Sequence, residues 1–133
     1  MTPLARALFA PRRIALVGAS ADPARLTARA QIHLRRHGFD GDVLPINPRA
    51  GEIMGERAYP SLDDAPGPID HAFILLGADR AEEAIASCAR KRIPVATVLA
   101  DGYAEAGAEG AARQARLVAA ARAGGVRLLG PNC

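Results

Sequence analysis

Tryptophan is absent from this 133-residue sequence, and only three phenylalanines and two tyrosines supply aromatic rings. That scarcity argues against a ring-lined ligand pocket. The 17 basic residues include a single lysine, Lys91, and the arginines are scattered without aromatic interleaving. With a net charge of only +3, they give little support for a nucleic-acid surface. The arginine preference reads mainly as codon-composition bias. The two cysteines, Cys88 and Cys133, lie far apart and outside any Cys-x-x-Cys unit, which points to a reduced, intracellular chain with no sequence-evident metal site. No apolar run approaches membrane-spanning length, and the first residues lack a signal peptide's apolar core. The expected location is the cytoplasm, with no membrane partner. Also missing are a recognisable Ser-His-Asp set and a pair of facing carboxylates, so no catalytic machinery is expected in this chain.

What is present is a regular alternation. At this length one domain with a proper core is expected. Short apolar runs predict strands at Arg12 to Val17, Asp42 to Ile46, His71 to Leu76, Pro94 to Ala100 and Val126 to Leu129. Amphipathic runs predict helices at Thr27 to His37, about Asp79 to Arg92 and about Glu109 to Ala123, with a small leading helix at Pro3 to Phe9. The Gly- and Pro-rich stretch from Asn47 to Pro68 reads as irregular, with one short strand near Glu56 to Ala58. Strands alternating with helices predict an α/β, Rossmann-like doubly wound parallel sheet with helices on both faces. The whole chain, 1–133, is expected to form this one domain.

Ligands of such sheets bind beyond the carboxyl ends of the strands, so four loops must supply any site. The first, Gly18 to Leu26, reads "GASADPARL". Its small residues let a phosphate approach backbone N–H groups, a helix amino terminus follows, and Ser20 and Arg25 add a hydroxyl and a charge. Yet Ser20 stands where the dinucleotide fingerprint needs its second glycine, and an ordinary strand-to-helix turn explains Gly18 equally well. The second loop, "NPRAG", offers Arg49 where NAD-binding domains commonly carry an acid, with no acid before Glu52. That favours an adenosine bearing an extra phosphate over plain NAD, although for this residue alone a solvated turn arginine is the better reading. In the third loop Gly77 and Ala78 would admit a ligand against the backbone, and Asp79 reads as a helix cap. In the fourth, Asp101-Gly102 is a turn signal whose carboxylate would reach the crevice; at both of these loops a purely structural turn is the better reading of the residues alone.

Other chemistry-bearing residues read as structure. His33 and His37 share a helix face but have no third ligand at a recognisable spacing. His71 opens a buried strand, which suits a hydrogen-bonded core role. Cys88 falls on the apolar side of its helix.

In order and spacing, five segments resemble the CoA-binding domain of the NDP-forming acyl-CoA synthetases, relatives of the succinyl-CoA synthetase alpha subunit. They are "LFAPRRIALVGASADP", "VLPINPRAGEIMGERAYPSLDD", "PIDHAFILL", "ADGYAEAGAEG" and "GVRLLGPNC", and together they run over nearly the whole chain. The resemblance implies coenzyme A as the ligand. By that likeness, Gly18, Ala19, Ser20 and Ala21 would receive the pyrophosphate with Arg25 nearby. Asn47, Pro48 and Arg49 would border the adenosine and its 3′-phosphate. Leu76, Gly77 and Ala78 would line the nucleotide and pantetheine path, and the turn at Asp101 and Gly102 would complete it. Two departures stand out: family members often have proline where this chain has Gly77, and many carry a glycine near Thr27.

The family joins an acid to CoA while cleaving a nucleoside triphosphate to NDP and phosphate through a phosphohistidine. That histidine and the ATP-grasp region belong to other domains, so the resemblance implies a chain that is not catalytic alone. Its expected partners are the remaining domains or subunits of a parent synthetase, of which this would be an amino-terminal piece. Three alternatives remain: the same domain fused to a protein acetyltransferase, a stand-alone CoA-binding or sensing protein, and an NAD-binding redox sensor.

Overall fold

The computed structural model describes residues 1–133. Five parallel strands form its sheet: β1 (Arg13–Val17), β2 (Asp42–Ile46), β5 (His71–Ile74), β6 (Val95–Val98) and β7 (Arg127–Leu129), in the spatial order β2-β1-β5-β6-β7. Between β2 and β5 the chain adds a two-residue hairpin of β3 (Glu52–Ile53) and β4 (Glu56–Arg57). The helices are α1 (Pro3–Phe9), α2 (Arg29–Arg36), α3 (Ala78–Arg90) and α4 (Ala108–Ala123). This is the doubly wound parallel sheet expected from the alternation.

Side chains alternate across the sheet, so each strand feeds two cores. Ala15, Val17, Ala72, Ile74, Ala96 and Val98 point to the face covered by Ala81, Ala84, Ile85 and Cys88 of α3 and by Leu117 and Ala121 of α4. Alanines on both layers allow that close helix-on-sheet packing. Leu62, Ala65 and Ile69 join the same core from the irregular crossover. Asp63 pairs with Arg90 at 3.0 Å, and Lys91 Nζ donates to Ala65 O at 2.6 Å, fixing that crossover to α3. On the other face Ile14, Leu16 and Val43 pack with Ala30 and Leu34 of α2. Beyond α2 that face is thinly covered. A groove lined by Phe9, Leu34, Phe39, His71, Phe73 and Leu129 runs between α1 and α2.

Element boundaries differ from expectation in two informative places. The helix expected from Thr27 opens instead as a 3-10 turn, Leu26–Ala28, and becomes α-helical only at Arg29. Neither end of that turn has a side-chain cap, which explains why no sharp start is written there. The single short strand expected near Glu56 is one arm of the hairpin. Tyr59 also bridges in parallel to Ile46, which extends β2's edge.

Candidate functional site: a crevice at the carboxyl ends of β1 and β5

The strand order reverses direction at β1: the chain moves outward to β2, then returns past β1 to β5. Loops leaving β1 and β5 therefore diverge to opposite faces and leave a crevice between them. Gly18 forms its floor, with φ +94°. A Cβ there would sit 2.8 Å from Leu76 Cδ2 and 3.1 Å from Leu75 O, so both the backbone angle and the space require glycine.

The four small residues of the first loop divide by role. The Gly18 N–H donates to Ile46 O at 3.0 Å, and that of Ala19 to Leu16 O at 3.4 Å. The Ala19 methyl is buried in the α2-side core. Ser20 N–H and Ala21 N–H have no acceptor within the chain, which leaves both free to donate. Ser20 Oγ accepts from Asp22 N–H at 3.1 Å, so its own proton remains available to donate. Asp22 Oδ1 then accepts from Ala24 N–H at 3.0 Å, closing the turn before the exposed Arg25.

Across the crevice, Leu76 is half-buried over Gly18, and Gly77 caps α3 without a side-chain hydrogen bond. The Gly77 carbonyl takes the N–H groups of Arg80 and Ala81, so those of Ala78 and Asp79 stay open at the helix start. Asp79, expected as the cap, lies inside the first turn instead. The second loop flanks the first: Asn47 Nδ2 donates to Ala19 O at 2.9 Å, and Asn47 Oδ1 accepts from Arg49 N–H at 2.8 Å and Ala50 N–H at 3.2 Å. Pro48 and Arg49 are exposed. Arg13, Arg35, Arg90 and Arg116 are tied in ion pairs, whereas Arg25 and Arg49 have no acidic partner.

The fourth loop is closed by its own side chains. Glu105 Oε1 accepts from Gly102 N–H at 2.6 Å and Tyr103 N–H at 3.0 Å, while Arg113 Nη1 donates to Gly102 O at 2.9 Å. Gln114 Oε1 takes the Ala104 N–H at 3.1 Å. These backbone donors hold the Glu105 carboxyl below its ordinary value. Asp101, at the start of this turn, is exposed. Sequence reasoning missed Glu105, Arg113 and Gln114 as organisers of the loop. The Gly102-x-x-Glu105 spacing, a carboxylate reaching back three residues, was the available signal.

The discounted residues sit away from this crevice. His33 and His37 stack with centroids 5.9 Å apart, and no group of three or more potential metal-ligating side chains gathers anywhere. His71 is buried and meets Thr97 Oγ1 at 2.7 Å. Cys88 is fully buried, and burial together with the Asp63 charge pushes its thiol up to about 12.

Fold and crevice thus define a doubly wound α/β domain whose free N–H groups and unpaired arginines suit a phosphorylated nucleotide. Residues 12–133 match the family described as the CoA binding domain, and the chain belongs to that family. It is 35% identical over 127 residues to Acetate--CoA ligase [ADP-forming] II of Archaeoglobus fulgidus, spanning 96% of this chain and 19% of that protein. To Acetate--CoA ligase [ADP-forming] II subunit alpha of Pyrococcus furiosus it is 34% identical, over 94% of this chain and 27% of the subunit. The apo form of dinucleotide forming Acetyl-coenzyme A synthetase 1 from Ca. Korarchaeum cryptofilum superposes with a TM-score of 0.92 at 38% identity, covering 96% of this chain and 28% of that one. The chain therefore spans under a third of the length of each of these proteins.

Proposed function

We propose that this domain binds coenzyme A as the nucleotide-binding part of an NDP-forming acyl-CoA synthetase. The observation that carries the reading is the pair of unsatisfied donors, Ser20 N–H and Ala21 N–H, on one side of a glycine-floored crevice whose other side carries the open α3 amino terminus. Backbone N–H groups at such a point neutralise a pyrophosphate without a glycine-rich fingerprint. In this reading Gly18 and Ala19 give the loop its shape, and Ser20, Ala21 and Arg25 hold the pyrophosphate. Pro48 and Arg49 border the adenosine, with Arg49 on the 3′-phosphate. Leu76, Gly77 and Ala78 line the path of the pantetheine arm, and Asp101 and Gly102 form its far wall.

The domain contributes binding and orientation; nucleotide cleavage and acyl transfer belong to the remaining domains or subunits of the synthetase. The apolar groove between α1 and α2 is a surface that such a neighbour would bury. Calorimetric titration of the purified chain with CoA, dephospho-CoA and NAD tests the reading. CoA binding ahead of both comparators is the expected result, and NAD binding best would replace it with a redox-sensing role.

A further inference from the structure

Asn47 sits on the β2 loop, yet its carboxamide acts on the β1 loop. Three hydrogen bonds hold its side chain, and its backbone N–H is fixed to Tyr59 O at 2.9 Å. Through Nδ2 it grips the carbonyl of Ala19, which belongs to the same peptide unit as the Ser20 N–H. That peptide is trans, so its C=O and N–H point in opposite directions. Because β1 lies between β2 and β5, a carbonyl drawn toward Asn47 sends the Ser20 N–H toward β5 and the α3 amino terminus.

We propose that Asn47 is a positioning residue: its carboxamide sets the Ala19–Ser20 peptide plane and thereby aims the Ser20 donor into the β1/β5 crevice. Rotation of that plane would turn a carbonyl oxygen, not a donor, toward any bound anion. Asn47 then determines affinity for the diphosphate of a ligand without touching it. The role rests on the proposed nucleotide site.

Asn47→Asp removes this donor. Its carboxylate still accepts from Arg49 N–H and Ala50 N–H, keeping the turn, but has no proton to give Ala19 O. The test is an amide NMR titration of both proteins with inorganic pyrophosphate, followed by CoA and dephospho-CoA. In the parent chain pyrophosphate is expected to shift the Ser20 and Ala21 resonances. In Asn47→Asp, ligand-free Ser20 should already be displaced while Arg49 and Ala50 stay in place. Pyrophosphate, CoA and dephospho-CoA should all bind about tenfold weaker or worse, consistent with loss of a hydrogen bond to a charged group. The preference for CoA over dephospho-CoA should be unchanged.

Equal pyrophosphate binding by the two proteins overturns the inference, as does a parent chain whose Ser20 and Ala21 amides ignore pyrophosphate. A selective loss of CoA relative to dephospho-CoA would make Asn47 a direct 3′-phosphate contact and also overturn it. Asn47→Ser repeats the test without the added negative charge, since a hydroxyl keeps the turn but does not span to Ala19 O; it should show the same loss of pyrophosphate, and parent-like binding by Asn47→Ser would overturn the inference. Pyrophosphate responding as expected while CoA binds no better would remove the CoA reading and leave the role of Asn47 intact.

Discussion

The imidazole of His71 and the hydroxyl of Thr97 meet at 2.7 Å across neighbouring strands, buried on the face that carries Phe73. The ring is taken out of water, and that desolvation depresses its basicity below the ordinary histidine value, with a backbone contact from Ala7 opposing it. Below the ordinary histidine value, about 6.5, the unfolded chain binds a proton that the folded chain resists. Stability is therefore complete above that value and falls as pH drops toward the lowered folded value. Melting temperatures measured between pH 7 and pH 5 should decline more steeply for the parent protein than for His71→Gln. The exposed His33 and His37 serve both proteins as a common background.

A prediction about packing concerns α4. At Gly110 a Cβ would lie 1.8 Å from Tyr103 O and 2.6 Å from Tyr103 C, both of them backbone atoms with nowhere to yield. Alanine improves helix propensity by about 1 kcal/mol. Overpacking of about 1–3 kcal/mol opposes that gain, and a clash with backbone belongs at its upper end. Denaturant unfolding of Gly110→Ala should show a net loss of stability.

Tyr103 itself is buried to 1% exposure, and its hydroxyl has no hydrogen-bond partner. A buried orphan hydroxyl costs about 1–3 kcal/mol of lost hydration. Tyr103→Phe should consequently be neutral or stabilising by about 1 kcal/mol in the same unfolding experiment. A clear destabilisation would mean that the hydroxyl is satisfied in solution.

Arg49 offers the direct test of ligand identity. It is exposed, has no acidic partner, and has its backbone N–H anchored on Asn47. Arg49→Ala is expected to weaken CoA by about tenfold, the scale of one charge-assisted contact, and dephospho-CoA much less. Calorimetry with the two ligands reads the ratio directly, and equal losses would take Arg49 away from the 3′-phosphate.

Thiol chemistry separates the two cysteines. Cys88 is fully buried with its thiol pushed up to about 12, and Cys133 is exposed. A neutral-pH thiol reagent should label Cys133 alone in the folded protein and both residues after denaturation, as counted by mass spectrometry.

Much of the fold was written in local sequence. β2 ran over Asp42–Ile46 as its apolar run required, and α1 over Pro3–Phe9, because Thr2 and Pro3 supply a cap and a first-turn proline. Gly18 and Ser20 signalled their loop because backbone freedom and a hydroxyl are short-range properties. The start of α2 was not legible, since uncapped 3-10 geometry leaves no mark in residue type. The closed state of the fourth loop was equally hidden: Arg113 and Gln114 reach it only because α4 folds back beside it.

By itself, the sequence determined the alternation of strands and helices and the four loops available to a ligand, because periodicity, caps and turns act over a few residues. Tertiary structure decided which donors remain free, which face is left thinly covered, and that Asn47 grips Ala19 from 28 positions away in the chain. Those outcomes depend on strand order, and hydrogen bonds between loops exist only once β2, β1 and β5 stand side by side.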